Sequence, residues 1–100
     1  MNSGYEQMQT EFRNKASAVF FAVQRSFDGA AANVSRRNEE HKFQQLKKQY
    51  ALMLEQELQN AAGDILAKYK NEKQVNEMNQ MFNQFIKDYL HRFIQKVNDL

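Results

Sequence analysis

The stretch SFDGAAANVSRRNEE (residues 26–40) decides how many helices this chain contains. It offers two places to reverse direction: the pair Asp28-Gly29, and the polar run from Asn33 to Asn38. Upstream, the apolar residues Tyr5, Met8, Phe12, Ala16, Val19, Phe20, Val23, Phe27, Ala30 and Val34 hold one helical stripe. The stripe keeps its phase across Gly29, with Ala30 and Val34 aligned on Val23 and Phe27. A helix tolerates such a glycine at a cost of about 1 kcal/mol relative to Ala, and the three alanines that follow favour helix. The pair Asp28-Gly29 is therefore read as helical.

The second site behaves differently. The next apolar series is Phe43, Leu46, Tyr50, Met53, Leu54, Ala61, Ile65 and Tyr69, and it begins nine residues after Val34. Nine residues are about two and a half helical turns, so the new stripe lies half a turn out of phase. A reversal near residues 35–38 removes the conflict. Ser35 or Asn38 would cap the second helix, with Glu39 and Glu40 in its first turn, where the helix dipole favours anions.

The same slip recurs once more. The third series, Met78, Phe82, Phe85, Ile86, Tyr89, Leu90, Phe93, Ile94 and Val97, begins nine residues after Tyr69. The intervening segment is polar apart from Val75. Lys68 and Lys70 suit a helix end, and Asn71 suits a C-cap. No Gly or Pro marks this break, so the sequence leaves open whether the second and third helices run on through residues 71–74. At the N-terminus, Ser3-Gly4-Tyr5-Glu6 has the capping-box pattern. The prediction is an all-α, single-domain chain with helices over 4–34, 38–70 and 74–98, packed as an up-down-up antiparallel bundle.

Composition agrees with long helices. The 100 residues include eight Phe, four Tyr and five Met, but no Pro and only three Gly, so core material is plentiful and helix breakers are scarce. The chain has no Cys, which excludes a disulfide framework and thiolate chemistry. The formal net charge is +2 with both signs interspersed, an ordinary surface rather than a concentrated basic stripe. No basic and apolar leader opens the sequence and no apolar run approaches the ~18 residues of a spanning helix, so a cytoplasmic protein without a transmembrane segment is expected.

Function is read from the third helix. Over residues 78–97 the apolar positions cover more than half the circumference, whereas a core-facing stripe needs about 100°. Two readings account for the surplus, which includes Met81, Leu90 and Ile94. The helix lies deep in the groove between the other two, or it carries a self-association surface. The second is the expectation, with a dimer favoured, because a thin bundle has little interior. The expected interaction surface is Phe82, Phe85, Tyr89, Leu90, Phe93 and Ile94, and the expected role is that of a non-enzymatic adaptor, accessory or regulatory subunit bound to a protein partner.

Other chemistry has less support. Glu39-Glu40-His41 falls at a helix start, where adjacent side chains diverge and capping explains them. The spacing Asp88-Tyr89-Leu90-His91 gives a single i, i+3 pair, short of the ligand set a metal needs. Neither a nucleophile elbow nor a phosphate loop is present. No catalytic residue, cofactor or metal site is expected. The alternative reading is a dimeric helical nucleic-acid binder using Arg36, Arg37, Lys47 and Lys48, although the lysines of the second helix scatter around its polar arc among Glu55, Glu57 and Asp64.

Overall fold

The computed structural model describes residues 4–69 and 75–99. Three α-helices carry the chain: α1 (Gly4–Ala31), α2 (Glu40–Lys68) and α3 (Val75–Asn98). Contacts fix their order as up-down-up. Glu11 near the start of α1 meets Lys68 at the end of α2, and Lys47 early in α2 meets Asn98 at the end of α3. Phe12 stacks on Phe82 and Phe27 on Phe93, so α1 and α3 run parallel. The bundle is a narrow rod of 55 × 18 × 17 Å.

Gly29 is helical, and the reversal falls after it. The helix ends at Ala31, three residues earlier than the stripe implied, because Val34 reaches the core from the turn that follows. The Val34 N–H donates to the Ala31 carbonyl at 3.0 Å. No described residue has a positive φ, so no left-handed glycine makes this corner.

A small polar network does so instead. The Asn38 N–H donates to Ser35 Oγ at 3.1 Å, the Ser35 N–H donates to Glu39 Oε1 at 3.2 Å, and the Glu39 N–H donates to the Ser35 carbonyl at 2.6 Å. This resembles a capping box with one extra residue, closed around the turn at residues 36–38. The expected caps are thereby corrected. Glu39 occupies the N-cap position of α2 with φ −126° and ψ 45° and makes no side-chain cap bond, while Ser35 caps the preceding turn. The second helix therefore starts at Glu40 rather than residue 38. It ends at Lys68, and the Tyr69 N–H bonds the carbonyls of Ile65 and Leu66, each at 3.2 Å. The second and third helices are separate, antiparallel elements. The expected roles of Ser3, Lys70 and Asn71 lie outside the described residues.

One core joins all three helices. Phe12, Phe27, Phe82, Phe93, Met8, Leu54, Leu58, Ile65, Met78 and Val97 are its largest fully buried side chains. Aromatic rungs connect α1 to α3. Phe12 and Phe82 stack with centroids 4.4 Å apart, Phe20 and Tyr89 lie 5.7 Å apart, and Phe27 meets Phe93 edge-on at 5.5 Å. Phe27 also packs edge-on against Phe43 and Tyr50 of α2, which closes that end of the rod. Offset and edge-on aromatic pairs add about 0.5–1.5 kcal/mol beyond the area they bury.

Candidate interaction surface

The structure divides the six α3 residues expected on the surface. Phe82 and Phe93 are core residues with 0% exposure, so in the folded chain they have no area to offer a partner. Phe85, Tyr89, Leu90 and Ile94 are half-buried, packed against the core. Met81 is likewise half-buried. The broad apolar arc of α3 thus serves two flanks, with Phe85 and Tyr89 toward α1 and Leu90 and Ile94 about 140° further round the helix.

Cations cover the α1/α3 flank. The Arg13 guanidinium lies 5.2 Å from the Phe85 ring centroid, that of Arg92 lies 5.3 Å from Tyr89, and the Lys96 ammonium lies 5.7 Å from Phe20. Exposed contacts of this kind are worth about 0.5–1 kcal/mol each. Among the described residues, none of these three has a carboxylate within ion-pair distance. The Ser17 and Tyr89 hydroxyls are 3.3 Å apart. An open groove of about 390 Å³ runs here, lined by Ser17, Phe20, Phe21, Tyr89, Arg92 and Lys96, with Asp99 at its edge.

The large exposed apolar side chains lie away from α3. Phe21 is 67% exposed, Leu52 57% and Met53 39%. Phe21 and Leu52 fall outside the apolar stripes, whereas Met53, expected within the second stripe, is exposed at its edge. The adjacent pair Phe20-Phe21 carries the signal: the two lie about 100° apart on the helix, and only Phe20 is in phase with the stripe. A second open groove, of about 380 Å³, lies between α1 and α2 and is lined by Ala18, Val19, Ala22, Val23, Ser26, Met53 and Glu57.

The four basic residues of the alternative reading are also divided. Arg36 Nη1 donates to the Asn98 carbonyl at 3.0 Å, and its guanidinium lies 5.0 Å from the Phe43 ring centroid. Lys47 Nζ donates to Asn98 Oδ1 at 2.9 Å. Both charges therefore sit at the C-terminus of α3, where they complement its dipole and satisfy a terminal carbonyl. Arg37 and Lys48 are exposed.

Two carboxylates are held by structural hydrogen bonds and ion pairs. Glu11 accepts from the Tyr69 hydroxyl at 2.7 Å and from Lys68 at 3.1 Å, and these bonds hold its carboxyl below the usual glutamate range, Tyr69 contributing most. Glu39 is likewise lowered, first by Lys42 at 3.0 Å and then by the Ser35 N–H. His41 and His91 are both exposed. Among the described residues, no three His, Asp or Glu side chains converge as a metal site, and no helix is long and apolar enough to cross a membrane.

Together these elements define the class as a three-helix, up-down-up bundle. Comparison with protein-family models, with curated proteins and with solved structures found no match in any of the three.

Proposed function

We propose that this protein is a non-enzymatic binding module that acts through protein–protein contacts and self-associates, in the manner of an adaptor, accessory or regulatory subunit. One observation carries the reading: Phe21, 67% exposed, stands at the lip of a groove lined by Phe20, Tyr89, Arg92 and Lys96. Full burial of a Phe side chain is worth about 1.5–3 kcal/mol. An aromatic anchor beside a groove with a charged rim is the anatomy of an interface hot spot. Of the expected α3 surface, Phe85 and Tyr89 belong to this flank. Nucleic-acid binding ranks second, because Arg36 and Lys47 already donate to Asn98.

The test is a photo-crosslinking amino acid at position 21, activated in cells that produce the protein. Protein adducts, lost when the probe is moved to the exposed α2 position Gln56, support the reading. Adducts to nucleic acid alone, or none, overturn it.

A further inference from the structure

The flank between α1 and α3 gathers hydrogen-bond donors that the fold leaves without acceptors. Arg13 of α1 and Arg92 of α3 line one groove of about 280 Å³ together with Ser17, Phe85 and Tyr89. Arg13 lies over the Phe85 ring and Arg92 over the Tyr89 ring, so both guanidiniums are held on this surface. A guanidinium has five N–H donors, and a ring contact leaves those in its plane unsatisfied. Among the described residues, neither arginine donates a hydrogen bond or meets a carboxylate within 4.0 Å. Of the Ser17 and Tyr89 hydroxyls, 3.3 Å apart, one donates to the other and the second keeps a proton to offer. Donors from both helices therefore converge where an oxyanion would satisfy them.

This groove adjoins the wider one beside Phe20 and Phe21, and the two share Ser17, Tyr89 and Arg92. Lys96, one turn past Arg92, lies over Phe20 and extends the cationic line. The flank also holds Asp88 and Asp99. Asp88 accepts from Gln84 Nε2 at 3.3 Å, and Asp99 stands beyond the end of α3. Further round α1, Arg25 and Asp28 offset one another. Three cations against two carboxylates leave the α1/α3 flank net positive, and in the narrower groove two arginines face Asp88 alone. The α1/α2 groove has the opposite sign, since Glu57 is its one charged lining residue. An acidic partner thus matches the first groove and not the second.

The geometry points to an acidic helix of a protein partner as the occupant of this flank. A carboxylate of that helix accepts from the Arg13 and Arg92 donors, and an apolar side chain four residues away packs on Phe21. The spacing follows from α1 itself. Phe21 is four residues beyond Ser17, which is ~6 Å along the helix axis. Side chains four apart on a partner helix have the same separation and share one face. A cleft between two parallel helices also suits a helix laid along it. Asp88, one turn before Arg92, acts as the built-in competitor for the guanidinium. This inference rests on the protein–protein reading above and names the chemistry of its partner.

An NMR titration of the isotopically labelled chain tests it. The probe is an alanine-rich peptide of about 18 residues, long enough for helix, with Leu and Glu four apart. Matched peptides carry Gln or Lys in place of Glu. The Glu peptide should shift the amides around Ser17, Phe21, Tyr89 and Arg92. It should bind at least ~3-fold tighter than the Gln peptide, and tighter again than the Lys peptide, as exposed ion pairs allow. Arg13→Gln and Arg92→Gln should each weaken the Glu peptide ~2–5-fold at unchanged helicity. Asp88→Asn should act in the opposite direction, tightening the Glu peptide and leaving the Gln peptide unchanged. Equal binding of the Glu and Gln peptides overturns the inference. So do shifts that map elsewhere, no shifts at millimolar peptide, or a weakening by Asp88→Asn. Protein adducts at position 21 without this charge preference overturn it alone, and the protein–protein reading stands. A chain with no protein adduct at all overturns both.

Discussion

Replacing Gly29 with Ala tests the local structure on which the fold rests, because the sign of the effect depends on it. Gly29 lies within α1 without a positive φ, and a Cβ placed there meets no other atom within 4 Å. The methyl group therefore introduces no clash, and what remains is helix propensity, which favours Ala by about 0.8–1.0 kcal/mol in a helix interior. Gly29 is two residues from the last residue of α1, where fraying dilutes the preference. We expect about half the interior value, a gain of ~0.5 kcal/mol. That corresponds to ~2–4 °C in Tm for a chain of this size and ~0.2–0.5 M in the urea midpoint. The assay is urea unfolding followed by circular dichroism at 222 nm, with an unchanged slope. It is made at two protein concentrations tenfold apart, so that any contribution from association is seen and removed. Gly63, further inside α2 and equally free of neighbours, provides an internal scale, and Gly63→Ala should gain nearer the full value. Destabilisation by Gly29→Ala would refute the reasoning, since a turn with positive φ at this position would penalise Ala by ~1 kcal/mol or more.

Two further outcomes follow from the packing. Tyr69→Phe removes the 2.7 Å bond to Glu11 and should cost ~0.5–1.5 kcal/mol at neutral pH. The folded-state pKa of Glu11 is lowered, so its contribution is present above the ordinary glutamate value near ~4.3 and is lost as pH falls through the folded value. Glu11→Gln should therefore flatten the acid decline of stability below pH ~4.3, and a decline parallel to the wild type's would exclude Glu11 as its source. Phe82→Ala should cost ~3–5 kcal/mol in chemical denaturation. Phe85→Ala, at a half-buried site, should cost distinctly less, and equal losses would contradict the assignment of Phe82 to the core and Phe85 to the flank.

The helix count was legible because phase is a long-range property. The two nine-residue gaps, Val34 to Phe43 and Tyr69 to Met78, register a half-turn conflict that no local residue choice conceals. Boundaries were less legible. Val34 satisfies the stripe while standing in the turn, since a side chain just past a helix end still reaches the core. Ser35 looks like a helix cap and does cap a turn, but the wrong one, because Glu39 completes the network one residue later than the usual spacing. The surface was least legible. A wheel shows how wide an apolar arc is but not how many neighbours share it, so the arc of α3 suggested an exposed patch although both flanks pack against the core. Phe21 and Leu52 lie outside the apolar stripes, which places them on the outside of the bundle, whereas Met53 lies at the edge of its stripe and is also exposed.

The rod shape has a consequence for how the molecule moves in water. Its radius of gyration, 15.9 Å, exceeds the ~13 Å of a compact chain of 100 residues. A particle about three times longer than wide tumbles end over end more slowly than it spins about its length. All three helices lie along that length, so their amide bond vectors report mainly the slow rotation. Gel filtration and helical amide relaxation will therefore both assign the single 11.8 kDa chain a mass above its own.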